Sequence, residues 1–225
     1  MKKTIVILGL ILSVTQSMVA QLDPAAKKML DAINAKYKAY TSFQANITYK
    51  LEVTANPSMN ESFTADAKVK GNKFHLKKSD GEEFYSNGIY IWNVVAKDKE
   101  AYVSDFDAED KIVDMSKVLD AYKIGYKYLK GLDETIDGVK CTTIELNPDK
   151  ANLKAEFFKI KLLVNPLNNE VKQWIVFEKN GNRHKFKLNT FKPNVVFAES
   201  IFTYDYKKHP EISVEDLTNA GTFSK

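Results

Sequence analysis

Polar and apolar residues alternate strictly along residues 43–53, and this is the clearest pattern in the chain. A period of two places the apolar side chains on one face of a β-strand and the polar side chains on the other. The pattern recurs down most of the chain with short turns between segments, which predicts about ten or eleven strands, nearly all antiparallel. In the first strand the apolar set is Phe43, Ala45, Ile47, Tyr49, Leu51 and Val53.

Turn dipeptides separate several of these segments. Asn87-Gly88, Asp137-Gly138 and Asn180-Gly181 are typical of type I′ hairpins, because both central residues of that turn need a positive φ. The last predicted strand contains Phe202, Tyr204 and Tyr206.

Two helices are predicted among the strands. Asp23 is a suitable N-cap and Pro24 fits the first helical position of a helix that precedes the first strand. A second, short helix is predicted over residues 114–122, as a cover over the sheet. The apolar stripe of the first helix is Ala26, Leu30, Ile33 and Tyr37.

A sheet of this many strands must curl, because neighbouring strands twist by ~20–25° relative to one another. We predict an α+β, mainly β fold: a strongly curved, partly closed antiparallel barrel with helices across its concave apolar face. With no repeat or linker in residues 21–225, one domain is expected.

Residues 1–20 have the three parts of a secretory signal. Lys2 and Lys3 precede an apolar run, and Ala20 ends the segment at a plausible cleavage point, so an exported protein is expected. Cleavage removes two lysines and no acidic residue, so the formal charge falls from +4 to +2. This near balance argues against binding to nucleic acid.

Residues that could support catalysis are sparse. The three histidines match no metal-ligand spacing, and His75 and His184 are predicted on the outward face of strands. Cys141 is the only cysteine and is predicted to be a buried apolar side chain. We therefore expect a protein that is not an enzyme and needs no metal or cofactor.

The apolar face is the remaining candidate. About ten amphipathic strands offer more apolar surface than two modest helices can cover, and an uncovered apolar pocket is a ligand site by default. A long acyl chain would fit it.

The order of features resembles the periplasmic outer-membrane lipoprotein carrier family (LolA-like) along nearly all of the mature sequence. The segments that carry the resemblance are Tyr40–Ala45, Ser86-Asn87-Gly88 with Ile91-Trp92, Val118-Leu119, Glu145–Pro148, Ile175–Leu188 and Phe202-Thr203-Tyr204.

This resemblance implies a half-barrel of eleven antiparallel strands with helices as a lid. It implies acylated lipoprotein as cargo, an inner-membrane ABC transporter as donor, and transfer toward the outer membrane. The chain departs from the family in having Lys70 where a lid-locking Arg often stands, and in lacking the Pro of the inserted helix. Whether Lys70 replaces that Arg stays open, as does the acceptor at the outer membrane.

Two sets of candidate site residues follow, and we expect a monomer. The lipid-binding set is Phe43, Ala45, Ile47, Phe74, Leu76, Phe84, Ile91, Phe158, Ile160, Leu162, Ile175, Phe177, Phe186 and Leu188. The lid set is Leu30, Ile33, Met115, Val118, Leu119 and Tyr122. Two alternative functions stay open for this protein on the same fold: a carrier of another envelope lipid or glycolipid, and a lipid-responsive envelope-stress sensor domain.

Overall fold

The computed structural model describes residues 22–106, 122–123, 125–149 and 157–219. These contain one α-helix, α1 (Pro24–Lys38), and a sheet of thirteen strands. Within them no helix is long and apolar enough to cross a membrane. The strands are β1 Phe43–Glu52, β2 Glu61–Lys70, β3 Lys73–Lys78, β4 Glu82–Ser86, β5 Tyr90–Val95, β6 Glu100–Asp105, β7 Tyr126–Lys130, β8 Glu134–Ile136, β9 Val139–Pro148, β10 Phe157–Asn165, β11 Glu170–Glu178, β12 Arg183–Pro193 and β13 Ser213–Asp216.

Helix α1 begins where the sequence predicted. Oδ1 of Asp23 accepts hydrogen bonds from the backbone N–H groups of Ala25 (2.8 Å) and Ala26 (3.2 Å). Its Oδ2 accepts from the N–H of Lys130 at the end of β7 (3.1 Å), which is the largest reason that the pKa of Asp23 is lowered. One side chain therefore caps the helix and ties it to the edge of the sheet.

The strands form one curved, unclosed sheet in the order β13-β6-β5-β4-β3-β2-β1-β12-β11-β10-β9-β7, with β8 paired to β9. All pairs are antiparallel except β13 with β6. The predicted mainly β half-barrel is confirmed. The strands number thirteen rather than about eleven, because the short strands β8 and β13 lie in segments too brief to show alternation.

The two faces of the sheet differ in what packs on them. We call the face that carries α1 the inner face. There Leu30 and Ile33 of the helix are fully buried in a large apolar core. The sheet residues buried in that core are Ala45, Tyr126, Tyr128, Ile144, Leu146, Ile160, Leu162, Val164, Val171, Trp174 and Leu188.

The outer face has two smaller clusters. One lies on β5 and β6 around Trp92 and Val103, with Tyr204 and Val214 from the C-terminal segment packed on it. The other contains Cys141, which is fully buried, as its sequence context predicted.

Two local predictions are wrong. The segment around Phe202 and Tyr206 forms two short 3₁₀ helices, Glu199–Phe202 and Tyr206–Lys208, instead of a strand. Of the three predicted type I′ turns, only Asp137-Gly138 has positive φ at both residues (49° and 78°). In the Asn87-Gly88 and Asn180-Gly181 turns only the glycine is left-handed, so these hairpins use other turn types.

Candidate functional site

The inner face continues beyond α1 across strands β1 to β5. Register pairs Ile47 with Ala65 between β1 and β2, and pairs Leu76 with both Ala67 of β2 and Phe84 of β4. Paired residues share a face, so apolar side chains follow one another across these strands on the inner face. We define six of them, all on β2 to β5, as the apolar strip: Phe63, Val69, Phe74, Leu76, Phe84 and Ile91.

Exposure separates the apolar strip from the core under α1. All six residues of the strip are half-buried, whereas Leu30, Leu146 and Leu162 beneath the helix have no exposed surface. Ala65 and Ala67 are the inner-face residues of β2 between Phe63 and Val69 of the strip. Their small side chains leave space above the sheet that larger residues would fill. The result is an apolar surface that the described elements leave partly open.

Polar side chains interrupt this surface at Lys78, Ser86 and Asn93, which pair in register with Ala65, Phe74 and Phe84. Asn93 on β5 therefore points to the inner face. Its Oδ1 is buried and accepts no hydrogen bond from the part of the chain that the structure describes. An unpaired buried acceptor is unfavourable, by roughly 1–3 kcal/mol. A ligand hydroxyl or amide N–H would satisfy it. The sequence analysis missed Asn93, whose one signal was a polar residue at an inward position.

Most of the predicted lipid-binding residues do lie together. The eleven on the inner face are Phe43, Ala45, Ile47, Phe74, Leu76, Phe84, Ile91, Ile160, Leu162, Phe186 and Leu188. Only part of this set is half-exposed. Ala45, Ile160, Leu162 and Leu188 are buried in the core under α1.

Three predicted residues lie on the outer face, and this is a correction. Phe158 is 49% exposed and its ring lies tilted against that of Phe177, while Ile175 and Phe177 belong to the outer-face cluster with Cys141. An irregularity between Phe157 and Lys159 turns Phe157 inward in place of Phe158. In β11, residues 174–177 are all apolar, so alternation could not indicate which pair faces inward.

The inward residues of β11 are therefore Trp174 and Val176. Trp174 stacks on Phe186, with ring centroids 4.8 Å apart and planes at 6°. This pair marks the boundary between the core under α1 and the open part of the inner face.

The predicted lid set is described only in part. Leu30 and Ile33 are buried in the core under α1, while Met115, Val118 and Leu119 lie outside the described residues. Tyr122 is buried, and its hydroxyl donates to Oδ1 of Asp31 on α1 (2.7 Å). The role of these residues as a moving lid stays a prediction.

A separate pocket of about 630 Å³ opens between α1 and β7. Its lining includes Lys27, Lys123, Lys127, Asp31 and Asp149. Charges of both signs make this pocket a poor match for an acyl chain, in contrast to the apolar strip.

Lys70 points to the outer face and forms an ion pair with Glu199, which also binds Lys73 at 2.7 Å. Hydrogen bonds from Lys70 and then Lys73 lower the pKa of Glu199 to about 2. This contact ties the C-terminal segment to the β2–β3 turn, and it does not involve α1.

His75 and His184 lie on opposite faces of the sheet. His75 is on the outer face as predicted, but His184 points inward, where its Nδ1 lies 2.8 Å from the hydroxyl of Tyr49. The outward prediction for His184 is wrong because His184 lies two residues before Phe186 in the regular part of β12 and therefore shares the inner face with Phe186.

On the outer face Glu83 is the centre of a polar network. Lys77 (2.7 Å), the hydroxyl of Tyr85 (2.6 Å) and Nε2 of His75 (2.7 Å) all contact its carboxylate. Burial alone would raise the pKa of Glu83, but these three hydrogen bonds outweigh it and lower the pKa to about 2.

This network predicts acid-sensitive stability. The folded pKa of Glu83 lies below its ordinary value of 4.5, so its contribution is complete above pH 4.5 and is lost as pH falls toward 2. We expect Glu83→Gln to lower the free energy of unfolding at pH 7 by about 2–3 kcal/mol. The difference from the unmodified protein should shrink as the pH falls below 4.5 and vanish only below about pH 2, where the folded carboxyl is also protonated. Urea unfolding at several pH values measures this, and a difference independent of pH would contradict it.

Structural comparisons identify the fold. The chain matches an uncharacterized conserved protein from Thermus thermophilus at 11% identity, over 85% of this chain and 99% of that one, with a TM-score of 0.52. It also matches the Mycobacterium tuberculosis lipoprotein LppX at 15% identity, over 78% and 98% of the two chains, with a TM-score of 0.51. The LolA-like fold that the sequence resemblance implied is confirmed.

A LolA superfamily protein from Nitrosomonas europaea is matched as well, at 14% identity over 80% of this chain and 98% of that one. Its TM-score is 0.40. No protein-family model matches the sequence, and no curated protein is similar to it. The likenesses therefore establish architecture, and function must be argued from the site.

Proposed function

We propose that this protein binds acyl chains of a lipid or lipoprotein on the inner face of its half-barrel and carries them through the periplasm. The supporting observation is the apolar strip, whose side chains are half-exposed beside a fully buried core. The protein would act by binding and release rather than by catalysis.

The chemistry of the strip suits a carrier. Each CH₂ group moved from water into an apolar site is worth about 0.8 kcal/mol, so a long acyl chain cannot cross water unaided. Transfer from a membrane into an equally apolar site is close to neutral in free energy. Cargo can therefore leave again, provided that few hydrogen bonds hold it.

Asn93 would supply one such hydrogen bond. Its unpaired Oδ1 lies on the inner face beside Phe84, where the glycerol or amide end of an acylated group could donate to it. A single acceptor orients a ligand without adding enough affinity to trap it.

The finer role follows from the sequence resemblance. In this proposal the signal segment directs export and is cleaved near Ala20. An inner-membrane ABC transporter supplies an acylated lipoprotein, and an outer-membrane acceptor receives it. The observations on the inner face support acyl binding itself and are compatible with a different envelope lipid as cargo.

Native mass spectrometry of mature protein purified without detergent tests the proposal. A bound species with acyl chains, identified after organic extraction, is the expected result. A triacylated lipoprotein would support the carrier role, whereas a smaller lipid would redirect it to another envelope lipid.

Gently purified protein that carries no acyl species, and that binds none when offered, would contradict the proposal. A stable protein partner in that same material would favour a sensor instead.

A further inference from the structure

Exposed apolar side chains cluster at one end of the half-barrel. We call the end where β1 begins and β12 ends the upper rim, and the opposite end the lower rim. Ile89, Leu167 and Val196 lie in three separate upper-rim loops and are 65%, 93% and 96% exposed. A single exposed apolar side chain is ordinary on a protein surface, but several of them grouped at one end of a molecule mark a surface that contacts a protein or a membrane.

The loops themselves are uncharged at their tips. Ile89 lies in the β4–β5 turn within 86–90, Leu167 in the β10–β11 turn within 165–169, and Val196 in the segment 193–198 after β12. None of these three stretches contains Asp, Glu, Lys or Arg.

The lower rim exposes fewer apolar loop tips. Its turns carry Asp80 between β3 and β4, Lys97 to Lys99 between β5 and β6, and Lys179 between β11 and β12. Met59, at 63% exposed, is the exposed apolar residue of the β1–β2 connection there. The upper rim also carries charge, because Lys70 and Lys73 of the β2–β3 turn pair with Glu199, so the two ends differ in their exposed apolar tips and not in charge alone.

Each upper-rim loop is fixed by its backbone. The carbonyl of Ile89 accepts from the N–H of Phe106 (2.7 Å), and the carbonyl of Val195 accepts from the hydroxyl of Ser42 (2.7 Å). The carbonyl of Asn168 accepts from Nζ of Lys36 on α1 (2.8 Å). The loops are held in place while their apolar side chains point away, which is the arrangement of a docking surface.

A group of aromatic side chains also lies near the upper rim. Tyr37 and Tyr40 at the end of α1 contact Phe191, which also contacts Phe43, with ring centroids 5.4–5.6 Å apart. Tyrosine has an apolar ring and a polar tip, and it is enriched where protein meets the membrane–water interface. Lys192, exposed at the end of β12, could approach lipid phosphate.

We propose that the upper rim docks on a lipid bilayer surface, with Ile89, Leu167 and Val196 inserted among the lipids. A protein interface of standard size needs about 800 Å² of continuous complementary surface on each partner. Three isolated tips on separate loops do not provide such a surface, but a fluid apolar medium adapts to them. The inference does not depend on the cargo of the inner face.

Co-sedimentation with vesicles of phosphatidylethanolamine and phosphatidylglycerol tests this with the mature chain. We expect binding that the triple variant Ile89→Asn, Leu167→Asn, Val196→Asn weakens at least about tenfold, since each side chain loses its apolar transfer energy. Met59→Asn at the lower rim is the matched control and should bind as the unmodified protein does. In Leu167→Trp, vesicles should shift the tryptophan emission to the blue.

Three results would overturn the docking surface. These are no vesicle binding by the unmodified protein, equal binding by the triple variant, or self-association in solution that the triple variant abolishes. The last result would assign the rim to a second copy of the chain. Binding of a fluorescent fatty acid by the triple variant should be unchanged, so a failure here is distinct from a failure of acyl binding.

Discussion

Replacing Leu76 with glutamate should abolish acyl-chain binding while leaving the sheet folded. Leu76 lies at the centre of the apolar strip, paired with Ala67 on one side and Phe84 on the other. A carboxylate in contact with an acyl chain must be desolvated or protonated, and a charge in hydrocarbon costs roughly 2.5–3.5 kcal/mol. That range corresponds to an affinity about 100-fold lower or more.

The folded state should tolerate this change because Leu76 is already half-exposed. Displacement of a fluorescent fatty acid measures affinity, and circular dichroism checks the sheet. Phe158→Glu is the matched control, since Phe158 is also exposed but lies on the outer face against Phe177. Equal loss in both variants, or no loss with Leu76→Glu, would place the ligand elsewhere.

The contrast between Leu76 and Phe158 shows how far the sequence leads. Leu76 lies between His75 and Lys77, and Phe158 begins a run in which every second residue is apolar, so periodicity correctly assigns each to a strand. Periodicity cannot detect the irregularity after Phe157 that moves Phe158 to the other face. Such bulges change which residues face inward without changing the alternation on either side of them.

Burial is the second property that the sequence left undetermined. Ile160 and Phe74 look alike as alternating apolar residues, yet Ile160 is buried under α1 and Phe74 is half-exposed. What separates them is where the single described helix lies across the strands, and that depends on contacts distant in sequence such as Asp23 with Lys130. The helix cap could be predicted, but its second partner could not.

The same reasoning explains the upper rim. The turns containing Ile89 and Leu167 could be placed between strands from sequence. That their tips project from the same end follows only from the strand order and register. Local sequence patterns do not show that two turns far apart in the chain lie at the same end of the sheet, because this depends on the order of the strands.

Leu30→Ala should destabilise the protein far more than Leu76→Ala, although both remove the same atoms. Leu30 is fully buried between α1 and the sheet, and a buried Leu→Ala change costs about 2–5 kcal/mol through lost burial and the cavity left behind. Leu76 is half-exposed, so its truncation should cost about 1 kcal/mol. Urea denaturation of both variants gives the two free energies of unfolding.

For ligand affinity we expect the opposite ranking, with Leu76→Ala more harmful than Leu30→Ala. Leu76→Ala removes apolar surface that would contact an acyl chain, so we expect weaker binding of a fluorescent fatty acid, whereas Leu30 contacts the core under α1. If Leu76→Ala instead lowers stability as much as Leu30→Ala and leaves binding unchanged, the strip is packed core. If the inner face is divided into a packed core under α1 and a binding surface, Leu30→Ala must cause the larger loss of stability. Leu76→Ala must at the same time cause the larger loss of ligand affinity.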